Sequence, residues 1–312
     1  MVSAMSSRNP SFSPPEGRDE NRVDNRSTSA TDPAQALDAG LYIVATPIGN
    51  LRDITLRAID TLRAADEILA EDTRVARRLL EAYDIRAKVT PYHDHNGAKR
   101  RPEVLNKIAE GAAIALISDA GTPLVSDPGW KLSREALDAG HTVTPLPGAS
   151  ALLAALVASG LASDRFMFCG FLPPKSGARR KAASELQAVP ATLVFYESGP
   201  RLADCLADLS VALGGAREAA VCRELTKLFE ETRRGSLEDL AAHYSEAGYP
   251  KGEIVVLVGP PLKTVASDEE IETALIEALK SQSVKQAAAE VSARFSIPKR
   301  DMYQKALTLK DG

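Results

Sequence analysis

Three short stretches of the 312-residue chain combine glycine, proline and small polar residues directly after an apolar run. They are Thr46-Pro47-Ile48-Gly49-Asn50, Ser118-Asp119-Ala120-Gly121-Thr122-Pro123 and Leu146-Pro147-Gly148-Ala149-Ser150. Small residues let a ligand come close to the backbone, and proline stiffens a loop while removing a competing N–H donor. Asp119 adds a carboxylate just beyond a buried segment. One such loop alone is a tight turn. Three in one unit describe the rim of a ligand site, because open α/β sheets bind ligands beyond the carboxyl ends of their strands. No GxGxxG follows the first strand and no GxxxxGK[ST] occurs, so the expected ligand carries no phosphate. Further along, Ser126-Asp127-Pro128-Gly129 is expected to start a helix with Asp127 as its cap.

Hydrophobic periodicity supplies the elements that hold these loops. Apolar runs predict strands over 41–46, 67–71, 88–92, 113–118 and 142–145. Amphipathic helices are expected over 56–65, 73–83, 103–110 and 130–139, and 149–159 reads as a buried helix closing this first unit. Such alternation predicts a largely parallel sheet covered on both faces. Beyond a break at 160–164, strands are expected over 166–170, 192–196, 219–223, 228–234 and 253–258, with helices at 178–187, 200–213 and 236–245. Glu231-Thr-Arg-Arg-Gly235 between extended runs suggests an antiparallel element and a mixed sheet. Segments 268–280, 284–294 and 299–309 predict a small helical appendage with a helix-turn-helix flavour.

Composition narrows the class. A net charge of −4 with 26% charged and 44% hydrophobic residues is ordinary for a globular protein, so any RNA contact must come from local basic patches. Cys169, Cys205 and Cys222 lack CxxC spacing and read as small buried hydrophobes in a reducing compartment. No apolar run reaches membrane-spanning length and the N-terminus has no secretory core, so a cytoplasmic protein is expected. Residues 1–38, rich in Ser, Pro, Asn, Asp and Arg, are expected to be disordered.

Eight motifs in order resemble the ribosomal RNA methyltransferases of the tetrapyrrole methylase superfamily. They are YIVATPIGNLRDIT (42–55), AEDTR (70–74), LISDAGTPLVSDPG (116–129), PLPGASA (145–151), DRFMFCGFLPPKSGARR (164–180), LVFYESGPRL (193–202), RELTK (223–227) and KGEIVVLVG (251–259). The resemblance implies an α/β, two-domain tetrapyrrole methylase-like fold, each domain a sheet flanked by helices, with a small C-terminal helical appendage. The expected divisions are 39–160 for the domain with the donor loops, 161–262 for the acceptor-side domain and 263–312 for the appendage. It further implies a homodimer that transfers a methyl group from S-adenosylmethionine to a cytidine ribose 2′-hydroxyl of 16S ribosomal RNA, with the RNA expected to be met within the assembled 30S subunit. Carried over by motif, Pro47, Asp119, Ala120, Gly121, Ser150, Tyr196 and Val258 would contact the donor.

A sulfonium-bound methyl is already activated, so alignment and exclusion of water are the main requirements and no metal is expected. A carboxylate such as Asp119 can hold either the donor's ammonium or its ribose hydroxyls. A ribose hydroxyl holds its proton tightly, so a base or an alkoxide-stabilising cation should sit nearby. Candidates are Glu197, Arg223, Glu224 and Lys227, the last requiring a lowered pKa to accept a proton; alternatively these residues form an ion-pair network of the cleft wall. His93 and His95 flank Asp94 without a third clustered ligand, and YHDHN reads as a polar loop that gates the cleft or meets RNA. Local positive charge for RNA is offered by Lys99, Arg100 and Arg101 and by a projecting loop with Lys175, Arg179, Arg180 and Lys181. Two rivals remain: a methylase of a tetrapyrrole or other small molecule, disfavoured by TPIGN where such enzymes resemble G-x-G-P-G-D, and a non-catalytic RNA-binding assembly factor.

Overall fold

The computed structural model describes residues 36–262, 268–295 and 297–311. The tail expected over 1–38 falls, up to residue 35, outside the described residues. The chain then runs β1 (Gly40–Val44), α1 (Leu56–Ala64), β2 (Glu67–Ala70), α2 (Thr73–Ala82), β3 (Val89–Pro91), α3 (Asp94–Ala109), β4 (Ala113–Ile117), α4 (Trp130–Asp138), β5 (Val143–Leu146) and α5 (Ala151–Ser159). Its five strands form one sheet in the order β3-β2-β4-β1-β5, parallel throughout. Side chains alternate between two cores, as the pleat requires. Val44, Ile68, Ala115 and Ile117 pack under Leu62 and Leu80 of α1 and α2. Leu41, Ile43, Leu69 and Leu116 pack under Val104 and Leu132 of α3 and α4.

The second sheet is mixed, as the sequence suggests. It comprises β6 (Phe166–Phe171), β7 (Thr192–Ser198), β8 (Glu218–Arg223), β9 (Glu231–Ser236) and β10 (Glu253–Val258), in the order β6-β7-β10-β8-β9. Only β6 and β7 pair in parallel. Helices α6 (Ser176–Ser184), α7 (Leu202–Leu213) and α8 (Leu237–Ala247) cover one face through Leu206, Leu209 and Leu240. Three helices, α9 (Asp268–Leu279), α10 (Val284–Phe295) and α11 (Lys299–Asp311), pack around a core of their own that includes Leu275, Val291 and Met302. Among the described residues no helix is long and apolar enough to cross a membrane.

Three expectations need correction. Helix α5 does not close the first unit: Ala155 and Leu156 pack against Val194, Cys222, Val255 and Leu257 on the free face of the second sheet. Helix α3 begins at Asp94 rather than near residue 103, so YHDHN is its first turn; the His93 N–H donates to Asn96 Oδ1 at 3.0 Å and fixes the entry. Strand β9 begins at Glu231, not at 228. Glu224 and Thr226 have positive φ and turn the chain, leaving Leu228 and Phe229 exposed.

Arg234 of β9 closes the far end of α5 by donating to the carbonyls of Ser159, at 2.9 Å, and Ala158. Leu156→Ala would open a cavity at the centre of this contact and is expected to lower unfolding free energy by roughly 2–5 kcal/mol. Urea denaturation checks it; a loss under about 0.5 kcal/mol, within the range of surface substitutions, would mean that α5 is not held by this face.

Candidate active site

The three small-residue loops emerge from the carboxyl ends of β1, β4 and β5 and are tied to one another. Thr46 and Gly121 exchange both backbone hydrogen bonds, at 2.9 and 3.0 Å. Thr46 Oγ1 donates to the Ser118 carbonyl at 3.2 Å, and Thr122 Oγ1 to the Ala149 carbonyl at 3.1 Å. Gly121 sits at φ +78°, and a Cβ there would stand 3.2 Å from Ile48 Cγ2. Both facts call for glycine.

Between this clasp and the second sheet lies a cavity of about 450 Å³, within the ordinary range for small-molecule sites. Glu71, Asp119, Gly121, Asp127 and Ser150 line it from the first unit, and Phe171, Tyr196, Ser198 and Glu253 from the second. A neighbouring cavity of about 330 Å³ shares Ile48, Asp119, Ala120 and Glu253 and adds Pro47, Arg78 and Lys227. Of the motif-derived donor residues, six therefore border this connected space: Pro47, Asp119, Ala120, Gly121, Ser150 and Tyr196. Val258 does not. It is fully buried at the opposite end of β10, paired with Leu193 and Ala219, about 17 Å along the strand from Glu253.

The first-unit wall is acidic. Asp119 Oδ1 accepts the Asp72 N–H at 3.0 Å. Burial raises the Glu71 pKa, with further upward pressure from Asp119 and Asp94. Asp127 is pushed up to about 6, first by burial and then by Glu71, against a lowering hydrogen bond from Ser118. It is not a helix cap, because α4 begins after Gly129, at φ +121°, and the Asp127 side chain faces the cleft. Leu124 and Ser126 before it, and Glu224 and Thr226 on the opposite lip, all adopt positive φ. For non-glycine residues this costs about 1–2 kcal/mol each, so both lips are held in place by their surroundings.

The four residues proposed from sequence as catalytic separate into two pairs. Lys227 Nζ stands 2.8 Å from Glu224 Oε1 and 3.1 Å from Glu253 Oε2, on the rim of the smaller cavity. Burial acts to lower the Lys227 pKa, but the two carboxylate hydrogen bonds outweigh it and leave the pKa raised. The lowered value needed for a lysine base is thus overturned. Hydrogen bonding from Lys227 in turn holds Glu224 below the usual carboxylate range. Glu197 borders the larger cavity, but its carboxylate turns away from it, as does Arg223. Alternation along β7 turns Tyr196 to the α5 side and the Glu197 carboxylate to the other, where Oε2 lies 3.2 Å from Arg201 Nη2. On β8 the same parity sends Arg223 to Glu231, at 3.2 Å, with Nη1 donating to the Lys251 carbonyl.

The basic residues also differ in availability. Lys99, Lys175, Arg180 and Lys181 are exposed, Arg180 while also pairing with Asp208 at 3.5 Å, whereas Arg100 pairs with Glu103 at 2.9 Å and Arg101 with Glu135 at 2.6 Å. Arg179 is a correction. The expected loop is helix α6, and Arg179 is 3% exposed, with Nε 2.7 Å from Asp208 Oδ2 and Nη1 donating to the Pro174 carbonyl. Sequence reasoning missed Asp127, Glu71 and Glu253 as cleft residues, although all three lie inside motifs already singled out. Arg179→Ala removes the buried partner of Asp208, which keeps only Ser176 Oγ at 2.9 Å and the half-exposed Arg180 at 3.5 Å, and is expected to destabilise the fold by roughly 3 kcal/mol. Thermal unfolding checks it; unchanged stability with weakened RNA affinity would restore Arg179 as a phosphate contact.

Comparison with known proteins places the chain. The family model for Tetrapyrrole (Corrin/Porphyrin) Methylases matches residues 40–241, and one for the RsmI C-terminal HTH domain matches 265–310. Ribosomal RNA small subunit methyltransferase I of Mesorhizobium japonicum is 52% identical over 89% of this chain and 95% of its own length. The protein of that name from Escherichia coli O157:H7 is 44% identical over 86% and 94%. Uroporphyrin-III C-methyl transferase from Thermus thermophilus, solved with S-adenyl homocysteine, shares the fold with a TM-score of 0.50 at 21% identity, over 70% of this chain and 96% of that one. The chain belongs to the tetrapyrrole methylase family and, within it, to the group whose members carry the name ribosomal RNA small subunit methyltransferase I.

Proposed function

We propose that this chain is an S-adenosylmethionine-dependent enzyme that methylates the 2′-hydroxyl of a cytidine ribose in 16S ribosomal RNA. The observation that carries the reading is the clasp of three loops, which presents Asp119 to a cavity that Glu71 of the β2–α2 turn also lines. An acidic wall suits a ligand that carries a sulfonium and an ammonium. Small residues at Ala120, Gly121 and Ser150 leave room for close backbone approach. When bound, S-adenosylmethionine supplies a methyl group already activated for in-line displacement.

The residues then divide the work. Asp119, Ala120 and Gly121 hold the donor, with Pro47 and Ser150 beside them and the Tyr196 ring as the opposite wall. Lys227 remains an ammonium between Glu224 and Glu253, so its role is that of a cation beside the acceptor and not that of a base. The exposed Lys99, Lys175, Arg180 and Lys181 offer phosphate contacts, and the helical appendage over 263–312 offers a further RNA surface. The other two divisions are 39–160 for the donor-loop domain and 161–262 for the acceptor-side domain. Substrate RNA within the assembled 30S subunit, in the cytoplasm, completes the reading. A homodimer would cover the apolar residues that α5 and β6 leave exposed, among them Val157, Leu153, Phe166 and Met167.

Incubation with labelled methyl donor and small ribosomal subunits, followed by nuclease mapping, is expected to place label on the ribose of one cytidine. Label on a base, or none in RNA, would sink the reading. Asp119→Ala is expected to weaken S-adenosylhomocysteine binding roughly 10- to 100-fold in calorimetry, the cost of losing a charged hydrogen-bond partner. Unchanged affinity would remove Asp119 from the donor site.

A further inference from the structure

The acceptor hydroxyl must lose a proton, and the residues first considered for that task are unsuited to it. Glu197 and Arg223 face the wrong side of the second sheet, Lys227 is held as an ammonium, and Glu224 is tied to Lys227 and to the Glu253 N–H at 3.0 Å. Asp127 stands differently. It is half-buried, lines the larger cavity and lies on the lip formed by Leu124 and Ser126, both at positive φ. Asp127 and Tyr196 line the same cavity from the two units, so Asp127 borders the space between the donor clasp and the second sheet.

We infer that Asp127 is the catalytic base, receiving the proton of the acceptor ribose hydroxyl as the methyl group is transferred. The inference rests on the proposed function above. In the step, the O2′–H bond breaks and the proton passes to an Asp127 carboxylate oxygen. The freed electron pair forms the O2′–CH3 bond, while the C–S bond of the donor breaks and its pair remains on sulfur, giving S-adenosylhomocysteine. Protonated Asp127 then returns its proton to solvent.

The surroundings favour a carboxylate that can take up a proton near neutrality. Burial first, then Glu71 from the β2–α2 turn and Asp119 from the β4 loop, raise its affinity for a proton, with Ser118 opposing them. Tyr196 of β7 and Glu253 of β10 face the same space from the second sheet, and no Lys or Arg is among the residues lining this cavity. A base of this strength is matched to proton transfer at physiological pH better than an ordinary aspartate.

The test compares the wild type with Asp127→Asn and Asp127→Glu in single-turnover methyl transfer to small ribosomal subunits at saturating donor. Expected results are a rate loss of at least about 100-fold for Asp127→Asn with S-adenosylhomocysteine affinity unchanged within threefold, and partial rescue by glutamate. The wild-type rate should rise with pH through about 6, and this rise should be absent from the residual rate of Asp127→Asn. A second readout needs no RNA. Because the folded-state pKa is raised from 3.8 to about 6, ionised Asp127 opposes folding, and stability falls as pH rises across that window. Asp127→Asn should therefore melt higher than wild type above pH 6 and equally below pH 4. Retained activity in Asp127→Asn, or a parallel loss of donor affinity, would overturn the assignment while leaving the methyltransferase reading intact. A wild type that never labels a ribose would overturn both.

Discussion

Helix α5 is the piece on which the site depends, because it is made by one unit and buried by the other. It leaves the β5 loop at Ser150, which lines the cleft, and lays Ala155 and Leu156 onto Val194, Cys222, Val255 and Leu257 of the second sheet. Ile48 from the first loop and Leu225 beside the opposite lip belong to the same apolar cluster. The hydrophobic contact that joins the units therefore also sets the width of the cavity. Arg234 fixes the far end of the helix by taking up its last carbonyls, which would otherwise lack partners. With both ends anchored, the Asp119 and Tyr196 walls cannot drift apart without exposing this cluster to water.

Polar contacts then refine what the apolar contact places. The exchange of backbone hydrogen bonds between Thr46 and Gly121 makes two loops from different strands behave as one surface. On the other side, the Asn50 N–H donates to Thr226 Oγ1 at 3.1 Å, and Lys227 is shared by Glu224 and Glu253. These links hold the positive-φ residues of both lips in conformations that an isolated chain would seldom adopt. Stability is given up locally at Leu124, Ser126 and Asp127, and the packed sheets behind them supply it.

Much of the architecture was legible in the sequence. Parallel strands buried on both faces appear as unbroken apolar runs such as Ala113–Ile117, and the loops after them as glycine-proline clusters. What escaped were questions of direction. An all-apolar helix such as α5 carries no stripe to say which sheet it covers. Glu197 and Tyr196 are neighbours in one motif, yet only the pleat decides that the ring enters the cleft while the carboxylate leaves it. Arg179 sits in a basic run, and nothing local announces the Asp208 carboxylate 29 residues on. Asp127 precedes a helix as a cap would, but the left-handed turn at Ser126 aims it elsewhere.

In the proposed function, the loop clasp and the second sheet together hold the methyl donor. A crystal structure with S-adenosylhomocysteine tests it most directly. The ligand is expected in the cleft, against Asp119–Gly121 on one side and the Tyr196 ring on the other. A ligand bound outside this cleft, or one that contacts only the far face of the second sheet near Glu197 and Arg223, would contradict it.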